Sequence, residues 1–217
     1  MQAKLYYNTV SPLLRRILEQ LMEAEEFKSF RLVGGTALSL QRGHRLSVDI
    51  DLFSDADYNT IDFEAIETFL RTTYTYVETS NDNIIGFGKS YFVGTDKDNA
   101  IKIDVFYTEK FIDSVLVIDN IRMASIDEII AMKLDVIGRA GRKKDFWDIH
   151  ELIEDYSPDA MFSLHKQRYP FGHNRQELKN KFIAFESANS DFNPECLKGK
   201  HWELIRVDIE DFIEKLT

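Results

Sequence analysis

The residues with the clearest chemical potential are Asp49 and Asp51, set in the run Val48-Asp49-Ile50-Asp51-Leu52. Strand alternation sends both carboxylates to one face and Val48, Ile50 and Leu52 to the other. Two such carboxylates repel each other unless a cation lies between them, and hard divalent cations favour oxygen ligands. Upstream, Arg31-Leu32-Val33 reads as a short buried strand that breaks at Gly34-Gly35-Thr36 into a helix carrying Ala37, Leu38 and Leu40. A strand, a diglycine turn and a helix N-terminus gather free backbone N–H groups around one point, which makes an anion site suited to phosphate. A phosphate cradle and a metal clamp therefore lie close in sequence, joined through Gly43-His44-Arg45.

The pattern GGTAL, then GHR, then S-x-D-I-D-L-F resembles the first motif of the AbiEii/AbiGii toxin-type nucleotidyltransferases, a branch of the polymerase-β-like superfamily. A diglycine turn followed at this interval by Asp-x-Asp is far more specific than a lone D-x-D. The resemblance implies that Gly34, Gly35 and Thr36, with Arg45 and Ser47, hold the triphosphate of an NTP, and that Asp49 and Asp51 hold Mg²⁺. Taken on the residues alone, Ser47 also fits an ordinary hydroxyl at the start of a strand.

A second alternating run, Ile101-Lys102-Ile103-Asp104-Val105-Phe106, sends Lys102, Asp104 and Phe106 to one face. If the sheet brings this run beside Asp49 and Asp51, Asp104 adds a third carboxylate, and three acids can hold two metals. The resemblance implies that Asp104 is the third ligand and the base for an attacking hydroxyl. The plainer expectation is a strand acid paired with Lys102. Lys133 follows Ile129 and Ile130 by four and three residues and precedes Ile137 by four, so it lies on the inward stripe of its helix. A lysine there needs an anion, such as a triphosphate, or a stem that packs while its ammonium reaches water. The family places a nucleotide-binding lysine on this helix, D-E-I-I-A-M-K-L-D. Asp145 faces inward from the first turn of the next helix, a place that the helix dipole alone favours for an acid. The run R-K-K-D-F-W-D-I resembles the family's final motif, whose basic-acidic pair orients nucleotide or metal. The expected catalytic set is thus Asp49, Asp51, Asp104, Lys133 and Asp145.

The elements that must position these residues follow from periodicity. Ser11-Pro12 opens a helix whose stripe is Leu13, Leu14, Ile17, Leu18, Leu21 and Met22. Ile61 to Leu70 suggests another helix, and the runs 73–78, 84–93 and 100–107 suggest strands extending the sheet in antiparallel fashion. A short pair, 115–118 and 121–123, flanks the turn dipeptide Asp119-Asn120. From Ser125 the period changes to that of helices. Ser125 and Glu128 form a capping box for a helix ending at Gly138 or Gly141, a second helix covers 143–156, and about three more follow. The expected fold class is α+β, a small mixed sheet with flanking helices over residues 1–124, followed by a helical half over 125–217 that packs on it.

Two motif-like stretches are better read as structure. Asn83 to Ser90, NIIGFGKS, lacks the first glycine of a phosphate-binding P-loop and lies among strands. Asp55, Asp57 and Asn59 resemble a calcium loop, but Thr60 stands where glycine is needed and Ile66 where a glutamate is needed.

The chain has 217 residues, 44% of them hydrophobic, which suffices for a buried interior. No apolar run is long enough to span a membrane and the first residues carry no signal core, so a cytoplasmic location is expected. Cys196 stands alone, so no internal disulfide exists. A net charge of −10 argues against bulk attraction to nucleic acid. The charge is uneven, with seven acids and no base between Asp49 and Glu67, and basic runs from Arg139 to Lys144 and from His165 to Lys181. Those runs are either solvated helix surface or a track for an anionic substrate such as tRNA.

Together these readings predict a metal-dependent nucleotidyltransferase using NTP and two Mg²⁺ ions, with an RNA or protein hydroxyl as acceptor. The resemblance implies the toxin of a toxin–antitoxin or phage-defence pair, with a cognate antitoxin as partner. The alternatives are a Mg-nucleotide-binding module with weakened chemistry, acting as sensor or interaction partner, and a structural protein with a solvated acidic face.

Overall fold

The computed structural model describes residues 4–79 and 86–216. Ser11 accepts the Leu14 N–H and Pro12 opens α1 (Pro12–Glu23), whose Leu14, Ile17, Leu18, Leu21 and Met22 are buried as the stripe predicts. The chain continues through β1 (Arg31–Leu32), α2 (Gly34–Arg42), β2 (Asp49–Ser54) and α3 (Phe63–Thr73). It then forms β3 (Tyr76–Thr79), β4 (Gly88–Gly94), β5 (Ala100–Tyr107), β6 (Leu116–Ile118) and β7 (Ile121–Met123).

Among the described residues these strands make one seven-stranded mixed sheet in the order β3-β4-β5-β2-β1-β7-β6. Neighbours are antiparallel except β2 with β5 and β1 with β7, which run parallel. The β2–β5 register sets Asp49 beside Lys102 and Asp51 beside Asp104. Paired residues on adjacent strands share a face, so the carboxylates of Asp49, Asp51 and Asp104 meet on one side of the sheet.

Helix α4 (Ile126–Ala140) begins at Ser125, which accepts the Glu128 N–H. It is followed by α5 (Lys143–His150), α6 (Pro158–Arg168), α7 (Arg175–Phe182), α8 (Glu186–Asn189) and α9 (Trp202–Glu214). Helix α4 packs against α2, α5, α6 and α7, and α5 against α9. Buried Leu38, Ile50 and Ile103 from the first half and Ile130, Leu134 and Phe146 from the second belong to one continuous core. The helical half is thereby fixed to the sheet that carries the acids. No helix among the described residues is long and apolar enough to cross a membrane.

Several local expectations need adjustment. The strand expected from Thr73 begins at Tyr76, because α3 continues to Thr73 and Thr72 bonds back to the Thr68 and Phe69 carbonyls. Ile84 and Ile85, expected in a strand, lie outside the described residues, and so does the start of the NIIGFGKS run. Val48 is not a core residue; it precedes β2 and is 67% exposed. Glu128 does not complete a capping box, since its carboxylate accepts the Ile112 and Asp113 N–H groups and pairs with buried Arg168. Helix α5 stops at His150, where Leu152 N–H turns to the Ile149 carbonyl in a tighter spacing.

Candidate active site

The strand register gathers the three acids, but their surroundings differ. Asp49 is half-buried, with Lys144 Nζ 3.7 Å from its Oδ2. Asp104 is held from two sides: Ser90 donates its hydroxyl to Oδ1 at 2.6 Å and Lys102 Nζ meets Oδ2 at 2.5 Å. The expected pairing with Lys102 is therefore real, and it coexists with a place among the acids. Among the described residues the Asp51 carboxylate receives no hydrogen bond or ion pair. Burial pushes its pKa up to about 6, the negative charges of Asp104 and Asp49 add to the rise, and Lys133 and Lys144 oppose it. A carboxylate in that position is stabilised by a cation, and an all-oxygen donor set suits a hard divalent ion. As the side chains stand, no three His, Cys, Asp or Glu among the described residues form a metal cage. The donor chemistry fits the ion, and one Asp104 oxygen is at present occupied by Lys102.

The glycine turn abuts this cluster. Gly34 has φ +67°, and a Cβ there would lie 2.6 Å from Asp51 Oδ2. Gly35 is excluded from carrying a side chain by Arg45, whose Nη2 would be 2.2 Å from the added carbon. No side chain caps the N-terminus of α2, so its first amides remain available to an anion. A cleft of about 230 Å³ lies at this point, lined by Gly34, Gly35, Asp51, Lys133, Lys144 and Asp145. Along Phe53, Met132 and Val136 it adjoins a larger cleft of about 640 Å³ that also meets Phe106, Arg139 and exposed Phe171.

Beneath the turn lies a buried charge network. Asp148 is fully buried and accepts from Arg45 Nε at 2.6 Å, Arg45 Nη2 at 2.8 Å and His44 Nε2 at 2.8 Å. Lys133 Nζ stands 2.7 Å from both Asp148 Oδ2 and Asp145 Oδ1. Burial alone would raise Asp148, but the charges of Arg45 and Lys133 outweigh it and hold the carboxyl well below its ordinary range. The converse applies to Lys133, where burial is outweighed by Asp148 and Asp145 and the pKa rises. Burial pushes the His44 imidazole down, towards its neutral form.

The inward lysine thus finds two anions within its own chain, although it still lines the cleft. Asp145 has a double role, since its Oδ2 also accepts the Arg142 N–H at the start of α5. Thr36, Ser47 and Arg45, expected at the nucleotide, have their polar atoms committed to the framework instead. Thr36 and Ser47 hydroxyls bond each other at 2.8 Å, Thr36 also bonds the Asp49 carbonyl, and Arg45 is locked on Asp148. All three are buried, so they set the turn and β2 in place from below. The basic track is largely paired as well: Arg139 with Asp135, Arg168 with Glu128, and Arg175 with Asp159.

Lys144, Asp148 and Ser90 were not singled out by the sequence, yet each touches this arrangement. Asp148 lies three residues after Asp145, the spacing that puts both on one helix face, but its apolar neighbours Phe146, Trp147 and Ile149 obscure that signal. Ser90 has no sequence signal, because only the β4–β5 register sets it opposite Asp104.

Comparison with known proteins bears on the fold and the lineage. Residues 16–217 match the family described as AbiEii nucleotidyl transferase toxin, type IV TA system. An uncharacterized protein of Aquifex aeolicus is 24% identical, covering 93% of this chain and 92% of its own. Among solved structures, a suspected nucleotidyltransferase from Helicobacter pylori aligns with a TM-score of 0.57 at 20% identity, over 93% of this chain and 90% of that one. The nucleotidyltransferase toxin MenT4 of Mycobacterium tuberculosis aligns with a TM-score of 0.50 at 14% identity, over 92% and 85%. These likenesses establish the fold, and the match over nearly the whole length establishes the lineage: the chain belongs to the AbiEii nucleotidyltransferase toxin family.

Proposed function

We propose that this protein transfers a nucleoside monophosphate from an NTP to a hydroxyl of an RNA or a protein, as the toxin of a toxin–antitoxin pair. The observation that carries the reading is the side-by-side register of Asp51 and Asp104 facing the uncapped amides of Gly34 and Gly35. In this reading Asp49, Asp51 and Asp104 hold Mg²⁺. Bound there, two divalent ions would lower the pKa of the acceptor hydroxyl and offset charge on the phosphates. The turn amides receive the triphosphate, Lys144 faces it at the cleft, and Lys133 adds its positive charge from below. The acceptor oxygen attacks the α-phosphorus, its proton passes to Asp104, and pyrophosphate leaves on the side of the glycine turn. The larger adjoining cleft, with Phe53, Phe106, Met132 and Val136, offers an apolar seat for the nucleoside.

The test is incubation with each α-labelled NTP, Mg²⁺ and cell extract. Labelled RNA or protein is expected with the wild type and none with Asp49→Asn, whose circular dichroism should remain native. Continued labelling by that variant would refute the assignment. Expression should arrest growth, and a cognate antitoxin should relieve the arrest. One observation favours a second reading, a nucleotide-binding sensor with weakened chemistry: both Asp104 oxygens already have partners. Calorimetry showing Mg-NTP binding with no turnover on any acceptor would select it.

A further inference from the structure

In-line displacement at phosphorus requires the nucleophile and the leaving group on opposite sides of the reacting centre. The sheet arranges this site as a single row. Ser90 on β4 is registered with Asp104 on β5, Asp104 with Asp51 on β2, and Asp51 abuts Gly34 at the start of α2. The row runs hydroxyl, carboxylate, carboxylate, phosphate turn, with strands about 4.8 Å apart. Among the described residues Ser90 is the one side-chain hydroxyl bonded to a carboxylate of the three acids. It donates to Oδ1, the Asp104 oxygen that Lys102 does not occupy. Ser90 is half-buried, so its hydroxyl is not sealed into the core.

We infer that the Ser90 hydroxyl, placed on Asp104 at the end of the row opposite the glycine turn, is itself an acceptor, so that the enzyme attaches a nucleoside monophosphate to its own β4 strand. This rests on the nucleotidyltransferase reading above. The Ser90 Oγ–P bond forms at the α-phosphorus of the NTP, the bond from that phosphorus to the bridging oxygen breaks, the serine proton passes to Asp104 Oδ1, and pyrophosphate leaves towards Gly34 and Gly35. Nothing is oxidised or reduced, and the NTP is the only co-reactant.

The experiment is mass spectrometry of the full chain after incubation with Mg²⁺ and each NTP in the absence of any acceptor. The expected result is a mass gain of one nucleoside monophosphate, mapped by peptide sequencing to Ser90 and lost in Ser90→Ala. Mapping the wild-type adduct decides the matter even if Ser90→Ala folds poorly. No adduct on a wild type that labels RNA or protein in extract would overturn this inference and leave the function standing. An adduct on another residue, or one retained by Ser90→Ala, would also overturn it. A wild type that labels neither itself nor anything in extract would overturn the underlying function and the inference with it.

Discussion

Replacing Asp148 with asparagine probes the network on which the cleft rests. The carboxylate is fully buried within 2.6–2.8 Å of Arg45, His44 and Lys133, so the change removes one negative charge from between two buried cations. Breaking a buried ion pair costs about 3–5 kcal/mol. Asparagine keeps the shape and one acceptor oxygen, and Lys133 retains Asp145, which places the loss near the lower end, about 3 kcal/mol. For a chain of this size that corresponds to a Tm lowered by roughly 6–12 °C. Asp145→Asn should cost less, because Lys133 keeps Asp148 and the Arg142 N–H keeps an acceptor. Thermal melts followed by circular dichroism at pH 7, with urea titrations to check that the slope is unchanged, measure both. The folded pKa of Asp148 is depressed, so its stabilisation is complete above the ordinary carboxylate range and is lost only as pH falls through the depressed value. The gap between wild type and Asp148→Asn should therefore be constant from about pH 5 to 8 and close only in acid. A Tm within roughly 2 °C of wild type, or a larger loss for Asp145→Asn, would refute the reasoning.

Gly34→Ala combines a left-handed backbone with a carbon 2.6 Å from Asp51 Oδ2. It should cost about 1–3 kcal/mol and abolish nucleotide transfer, and a variant with unchanged transfer would show that Asp51 need not sit against the turn. Gly35→Ala drives its new carbon against Arg45, which cannot move without leaving Asp148, so its Tm should fall about as far as that of Asp148→Asn. His165 is buried beside His173, which together hold its pKa at about 4. The unfolded chain takes up that proton near pH 6.5, so the stability contributed by neutral His165 is present above pH 6.5 and is lost as pH falls towards 4, by roughly 2–3 kcal/mol. The difference between wild type and His165→Gln in urea titrations at pH 7 and pH 4.5 reads this directly, and a difference independent of pH contradicts it.

The alternation around Asp49 and Asp104 was visible in the residues, and so was the break at Gly34-Gly35. Their convergence was not, because it depends on β5 crossing to lie parallel to β2, a long-range pairing that a local pattern cannot specify. The inward placement of Lys133 followed from helical spacing, whereas its partners Asp145 and Asp148 lie on another helix and needed the α4–α5 packing to appear. Arg45, Thr36 and Ser47 sit in the right motif, but sequence does not distinguish a residue that touches a ligand from one that braces the turn beneath it. Burial decides that, and burial is a property of the whole fold. Glu128 illustrates the same limit: its spacing from Ser125 suits a capping box, and the tertiary partners Arg168, Ile112 and Asp113 claimed it instead.

In the proposed reaction Asp49, Asp51 and Asp104 share divalent cations at the mouth of the glycine turn. Crystals grown with Mn²⁺ and a non-hydrolysable NTP analogue, measured at the manganese absorption edge, test it most directly. An anomalous peak is expected within ligand distance of Asp49 and Asp51, with Asp104 turned from Lys102 towards the metal and the triphosphate against Gly34 and Gly35. Bound nucleotide with no manganese at these carboxylates, or manganese held elsewhere while Asp104 stays on Lys102, would contradict it.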